Sequence, residues 1–119
     1  MSGPEEVDAL LPLQPAAFHI LLALSSSDSH GYGIISDVEA RTGGALRLSP
    51  GTLYRTIQRL LEDGLIEERR SRPVISQDPR RRYYRITTLG SAVVRAETRR
   101  LTELVRLAKG VLRVAPGSS

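Results

Sequence analysis

The spacing of apolar residues changes from block to block along the chain, and each change predicts an element. From Pro15 the segment PAAFHILLALSSS carries apolar side chains at Ala17, Phe18, Ile20, Leu21, Leu22 and Leu24. Apolar residues on nearly every side, with Pro near the start, predict a buried helix. Ile34, Ile35 and Val38 then recur at helical spacing after the polar cap candidates Ser29 and His30, and Gly43-Gly44 closes that second helix. Leu46 and Leu48 lie two apart, which predicts a brief strand over 45–48. Ser49 followed by Pro50 is a helix start, because a cap oxygen precedes a residue whose missing N–H costs nothing at that position. Leu53, Ile57, Leu60 and Leu61 follow at i, i+4, i+7 and i+8, and Gly64 ends the third helix. LIEERRS and RRYYRIT read as two strands joined by the loop RPVISQDPR. Alternation would place Tyr84 and Ile86 on the core side and Tyr83 and Arg85 outside. Thr87 or Thr88 then caps a helix to about Leu112, with Leu101, Leu104, Val105, Ala108, Val111 and Leu112 in a seam of period about 3.5.

In order, these are helix, helix, short strand, helix, basic hairpin and long helix. That is a mainly α fold with a small β-hairpin wing: a winged helix-turn-helix followed by a long C-terminal dimerisation helix. Residues 15–87 form the DNA-binding domain and 88–113 the dimerisation helix, with a flexible arm at 1–14 and a flexible tail at 114–119. Leu10, Leu11 and Leu13 in the arm are left able to pack somewhere. The seam has no obvious intrachain partner, which points to a homodimer through Leu101, Leu104, Val105, Ala108, Val111 and Leu112. Phe18, Leu22 and Val93 are expected to join the same interface.

Charge sharpens this picture. The 119 residues carry a net charge of +4, and of the 17 basic residues all but Lys109 are arginine. A codon-biased genome would produce the same preference, so placement has to decide its meaning. Thr52, Arg55, Gln58 and Arg59 share the outward face of the Ser49 helix, and Arg with guanine and Gln with adenine are the pairings that major-groove geometry favours. Ser49 and Gly51 lie at the positive end of this helix, where exposed N–H groups suit a phosphate; Ser49 serves equally as a simple cap. Tyr54 borders the apolar face and either packs its ring or reaches a phosphate through its hydroxyl. Tyr32 has the same choice at the start of the second helix, where Gly31 and Gly33 permit close backbone approach. In the wing, Arg69, Arg70, Arg72, Arg80, Arg81 and Arg82 face only Asp78 across the tip, a concentration of positive charge suited to phosphates.

Other classes of function find little support. There is no cysteine, and only two histidines, so neither a disulfide nor a thiolate metal site is possible and no metal or cofactor is expected. No HExxH spacing or P-loop occurs, and Glu62 and Asp63 are adjacent on a helix and point apart, so an enzyme is not expected. The apolar run from Ala16 to Leu24 is interrupted by His19 and too short to span a bilayer, so a soluble, cytoplasmic protein is expected. A winged helix used only for protein contacts is the alternative to an operator-binding regulator.

HGYGI at 30–34, LSPGTLYRTIQRLLEDGLIE at 48–67 and DPRRRYYRITTLG at 78–90 together resemble the three signature blocks of the PadR family of bacterial transcriptional regulators. The resemblance spans about residues 15–112, and the chain length matches the short branch of that family. It implies a homodimer that binds a roughly palindromic operator, usually as a repressor, and lets go on a small-molecule or stress signal. Two departures stand out. Arg55 replaces a proline common after the signature tyrosine, and the absence of Trp excludes a ligand sandwiched between interface tryptophans. The expected effector is therefore an apolar or aromatic molecule near Phe18, Leu22, Val93 or Leu101, acting through dimer geometry.

Overall fold

A computed structural model describes residues 3–69 and 82–114. The elements are α1 (Pro4–Asp8), α2 (Pro15–Ser26), β1 (Ser29–His30), α3 (Gly31–Arg41), α4 (Pro50–Glu62), β2 (Ile66–Glu68), β3 (Tyr83–Ile86) and α5 (Thr88–Val114). The nearly all-round apolar α2 is the central element and packs against α3, α4, α5 and β3. Ile20, Leu21 and Leu24 from α2 meet Ile34 and Val38 from α3, Leu53, Ile57 and Leu60 from α4, and Val93 from α5 in one core.

Local chemistry sets the boundaries. The His30 ring caps α3, its Nδ1 accepting from Gly33 N at 3.2 Å. Helix α3 closes through Thr42, whose Oγ1 donates to Val38 O at 2.9 Å and accepts from Leu46 N at 3.0 Å. Ser49 caps α4 by accepting from Thr52 N at 3.2 Å, with Pro50 in the first turn. The far end of α4 is a Schellman turn: Leu65 N donates to Leu60 O at 2.9 Å and Gly64 N to Leu61 O at 3.1 Å, with Gly64 at φ +73. Thr87 starts α5, its Oγ1 accepting from Gly90 N at 3.0 Å and donating to Gly64 O at 2.6 Å.

Three sequence expectations need correction. Residues 45–48 form no strand; the third strand is Ser29–His30, and the sheet runs β1-β3-β2, antiparallel throughout. Leu48 still contributes to the core, so its apolar spacing reflected burial of a connecting segment rather than pairing. Tyr83 is buried as well as Tyr84, because β1 lies against β3 and the His30 ring meets Tyr83 edge to face at 5.2 Å between centroids. Nor are residues 3–14 of the expected 1–14 arm loose: Pro4 opens α1, which packs against α5, and Val7 is buried with Leu10, Leu11 and Leu13 resting on the core.

Glu97 fastens this N-terminal segment. Its carboxylate sits on α5 at 1% exposure, accepts from Leu13 N at 2.8 Å, and is paired with Arg100. The hydrogen bond from Arg100 holds the Glu97 carboxyl below the usual carboxylate range against an opposing burial effect, with the Leu13 amide assisting.

Beyond Glu97, α5 leaves the body. Leu104 is 52% exposed and Val111 66%, with Val105, Leu107 and Leu112 similarly bare. The Cα radius of gyration, 16.6 Å, exceeds the roughly 13.5 Å of a compact chain of this length.

Candidate nucleic-acid interface

Helices α3 and α4 form the helix-turn-helix pair, joined by the Gly43-Gly44 turn in which both glycines have positive φ. The buried Leu53, Ile57 and Leu60 fix the rotation of α4 about its own axis. At about 100° per residue this aims Arg55 away from the core, with Gln58 on one flank and Thr52 and Arg59 on the other. Arg55, Gln58 and Arg59 are exposed and Thr52 partly so. Neither arginine has an ion-pair partner among the described residues, whereas Gln58 Nε2 makes a long hydrogen bond of 3.4 Å to Glu62. The face therefore offers two unpaired guanidinium groups and one weakly held amide, a donor-rich surface that suits phosphate oxygens and purine edges.

The supporting positions divide. Ser49 is engaged as the α4 cap and also donates to Thr52 Oγ1 at 3.1 Å, while Gly51 is exposed beside it. Tyr54 is half-exposed and lays its hydroxyl end over Gly31; a Cβ at Gly31 would come within 2.5 Å of that oxygen. This contact ties the start of α3 to α4 and leaves Tyr54 with both a packing surface and a free edge. Tyr32 is exposed at the same end, with Gly33 next to it partly covered.

Among the wing residues, Arg82 is exposed, with Glu68 at 3.9 Å. Arg69 is instead ion-paired with Asp28 at 2.9 Å, joining the base of the hairpin to the segment before β1. Its predicted assignment to phosphate contact is thus qualified by a structural partner that the sequence did not signal. Arg70, Arg72, Arg80 and Arg81 lie outside the described residues.

The expected interface set also divides. Leu101 is partly covered, and Leu104, Val105, Ala108, Val111 and Leu112 are exposed on α5. Phe18 and Leu22 retain part of their surface. Val93 must be withdrawn from this set: at 0% exposure it is consumed by the chain's own core and has no surface to offer a partner or an effector. A cleft of about 430 Å³ lies elsewhere, between residues 9–14 and the flank of α4 that carries Arg55 and Arg59. Sequence reading missed it with the folded N-terminal segment. Pro4 followed by Glu5 and Glu6 was the available signal, a helix start with acids near its positive end.

Among the described residues no helix is long and apolar enough to cross a membrane, and no group of three metal-ligating side chains gathers.

Comparison with known proteins agrees with this geometry. Residues 20–96 match the model of the Transcriptional regulator PadR-like family. The transcriptional regulator Rv3488 of Mycobacterium tuberculosis is 38% identical over 89 residues, covering 74% of this chain and 77% of its own. A PadR family transcription regulator from Clostridium difficile superposes with a TM-score of 0.70 at 23% identity, covering 83% of this chain and 99% of that one. Bacillus subtilis PadR, solved in complex with operator DNA, superposes with a TM-score of 0.60 at 20% identity over 71% of this chain and 47% of its own. The last two likenesses establish the shared winged-helix fold, and the family match spans the helix-turn-helix pair, the wing strands and the first part of α5. The chain belongs to the PadR-like family of transcriptional regulators.

Proposed function

We propose that the protein is a homodimeric repressor that reads a roughly palindromic operator and is released by a small-molecule signal. The observation that carries the reading is the outward face of α4, where Arg55 and Arg59 stand unpaired among the described residues beside Thr52 and Gln58, opposite a fully buried leucine and isoleucine face. Recognition helices of this kind enter the major groove with such side chains, and the solved PadR of B. subtilis is bound to operator DNA. Arg55 and Gln58 read base edges, and Thr52 and Arg59 support them. Gly51, Tyr32, Gly33, Tyr54 and the wing arginines, Arg82 foremost, hold the flanking backbone. The bare stripe of Leu104, Val105, Val111 and Leu112 supports pairing of two α5 helices. Pairing would set two α4 helices about one duplex turn, roughly 34 Å, or a multiple of it, apart.

The test begins with selection of genomic fragments bound by the protein, followed by fluorescence anisotropy on the selected duplex. Arg55→Ala or Gln58→Ala is expected to cost roughly 1 to 3 kcal/mol on that duplex and to relax preference at particular base pairs. Arg82→Ala is expected to weaken all duplexes alike and to flatten the salt dependence by about one unit of slope. No salt-sensitive binding to any duplex would replace this reading with that of a protein-contact module.

A further inference from the structure

We propose that the cleft between residues 9–14 and α4 binds a small aliphatic carboxylate, and that this ligand competes with operator DNA for Arg55 and Arg59. The competition half rests on the operator reading above; the binding site does not.

The cleft's volume of about 430 Å³ falls within the range of small-ligand sites. One wall is apolar, formed by Leu10 and Leu11 of the N-terminal segment with Leu60 at the floor. The other is the flank of α4, from which Arg55 and Arg59 enter. They are one turn apart on the same side of the helix, close enough for a single carboxylate to lie between two guanidinium forks. Neither is held in an ion pair among the described residues, so the cleft sets two arginines against one lining acid, Asp63, beside a hydrocarbon surface. That combination selects an anion with an apolar tail. Among the described residues no aromatic side chain lines the cleft, so it has no ring on which a planar ligand would stack, and a flexible aliphatic tail suits the leucine wall better. Asp63 lines the end of the cleft one turn beyond Arg59. It confines the anionic seat to the Arg55 end and disfavours a second negative charge on the ligand.

The leucine wall is held in place. Leu13 N donates to the buried Glu97 carboxylate at 2.8 Å, and Val7 anchors α1 in the core. A carboxylate seated between Arg55 and Arg59 occupies the donors proposed to face DNA and cancels their charge. By linkage, operator DNA must weaken the ligand as much as the ligand weakens the operator. Release then needs no change in the dimer, in contrast to the effector expected from the sequence to act through dimer geometry.

The probe is decanoate, titrated calorimetrically below its micellar concentration into the full-length protein without DNA, beside decanol and decylamine. Saturable binding of one decanoate per chain is expected, at least tenfold tighter than decanol and absent for decylamine. The double variant Arg55→Gln/Arg59→Gln, altered only at exposed positions, should lose at least tenfold in decanoate affinity. Leu11→Ala should weaken decanoate while leaving operator affinity unchanged. Saturating operator should raise the decanoate Kd in the native protein. No saturable decanoate binding, equal affinity for decanol, or full retention in the double variant overturns the site. A protein that binds both operator and decanoate with neither affecting the other overturns the competition. A protein that binds decanoate as described but no duplex keeps the site and removes the operator reading, so the two failures are distinguishable.

Discussion

Glu97→Gln isolates the joint that makes the N-terminal segment part of the fold. The carboxylate is buried, accepts from Leu13 N at 2.8 Å, and receives Arg100 on both oxygens. Glutamine preserves the volume and keeps an acceptor for the Leu13 amide, but it removes the charge and brings an N–H₂ group toward Arg100. Arg100 is itself 39% exposed and swings into water at little cost. The loss is therefore mainly a charge-assisted hydrogen bond and a buried amide group left imperfectly paired, roughly 1 to 3 kcal/mol. For a chain of this size about 4 °C of Tm corresponds to each kcal/mol, giving a drop of roughly 4 to 12 °C. The pH dependence follows from the same contacts. Because Arg100 holds the folded carboxyl below its ordinary value near 4.3, its stabilisation is fully present above that value and is lost as pH falls through the lower folded value. The gap between native and variant should be constant from pH 7 to about 5.5 and shrink on further acidification. Urea unfolding at fixed protein concentration, at pH 7, 5.5, 4 and 3, measures it. A native-minus-variant difference that is zero at pH 7, or unchanged between pH 7 and pH 3, would refute the view that the ionised carboxylate fastens the segment.

Two further outcomes test other parts of the structure. Leu104→Glu places a charge in the exposed α5 seam, where each buried Leu or Val would contribute roughly 1.5 to 3 kcal/mol to pairing before entropic costs; sedimentation should show monomer, and an undisturbed dimer would remove α5 from the interface. Gly90→Ala drives a methyl into the Leu65 carbonyl and the Ile86 side chain at the start of α5, so it should cost at least the roughly 1 to 3 kcal/mol of overpacking, measured by thermal unfolding, and a neutral result would show that α5 and the β2 entry shift apart freely.

Helix α4 was legible in the chain because everything that defines it is local. Ser49-Pro50 starts α4, Gly64 stops it, and Leu53, Ile57 and Leu60 choose which face is buried, so the outward placement of Arg55, Gln58 and Arg59 follows from periodicity. The bare seam of α5 was legible for the same reason. What the sequence could not decide was which distant segments meet. Whether Ser29–His30 or residues 45–48 supply the third strand depends on what lies beside β3, and the pairing of Ser29 with Tyr84 settles it across 55 positions of chain. That neighbour also buries Tyr83 against the His30 ring, a result no alternation rule contains. Val93 and Leu101 share the apolar character of one helix, yet the core takes the first and leaves the second at its edge, because the body of the protein ends near Glu97. The N-terminal segment is too short to fold by its own propensity. It is ordered by Val7 in a core built by other elements and by a carboxylate 84 residues away, and only that tertiary contact turns one flank of α4 into the wall of a cleft.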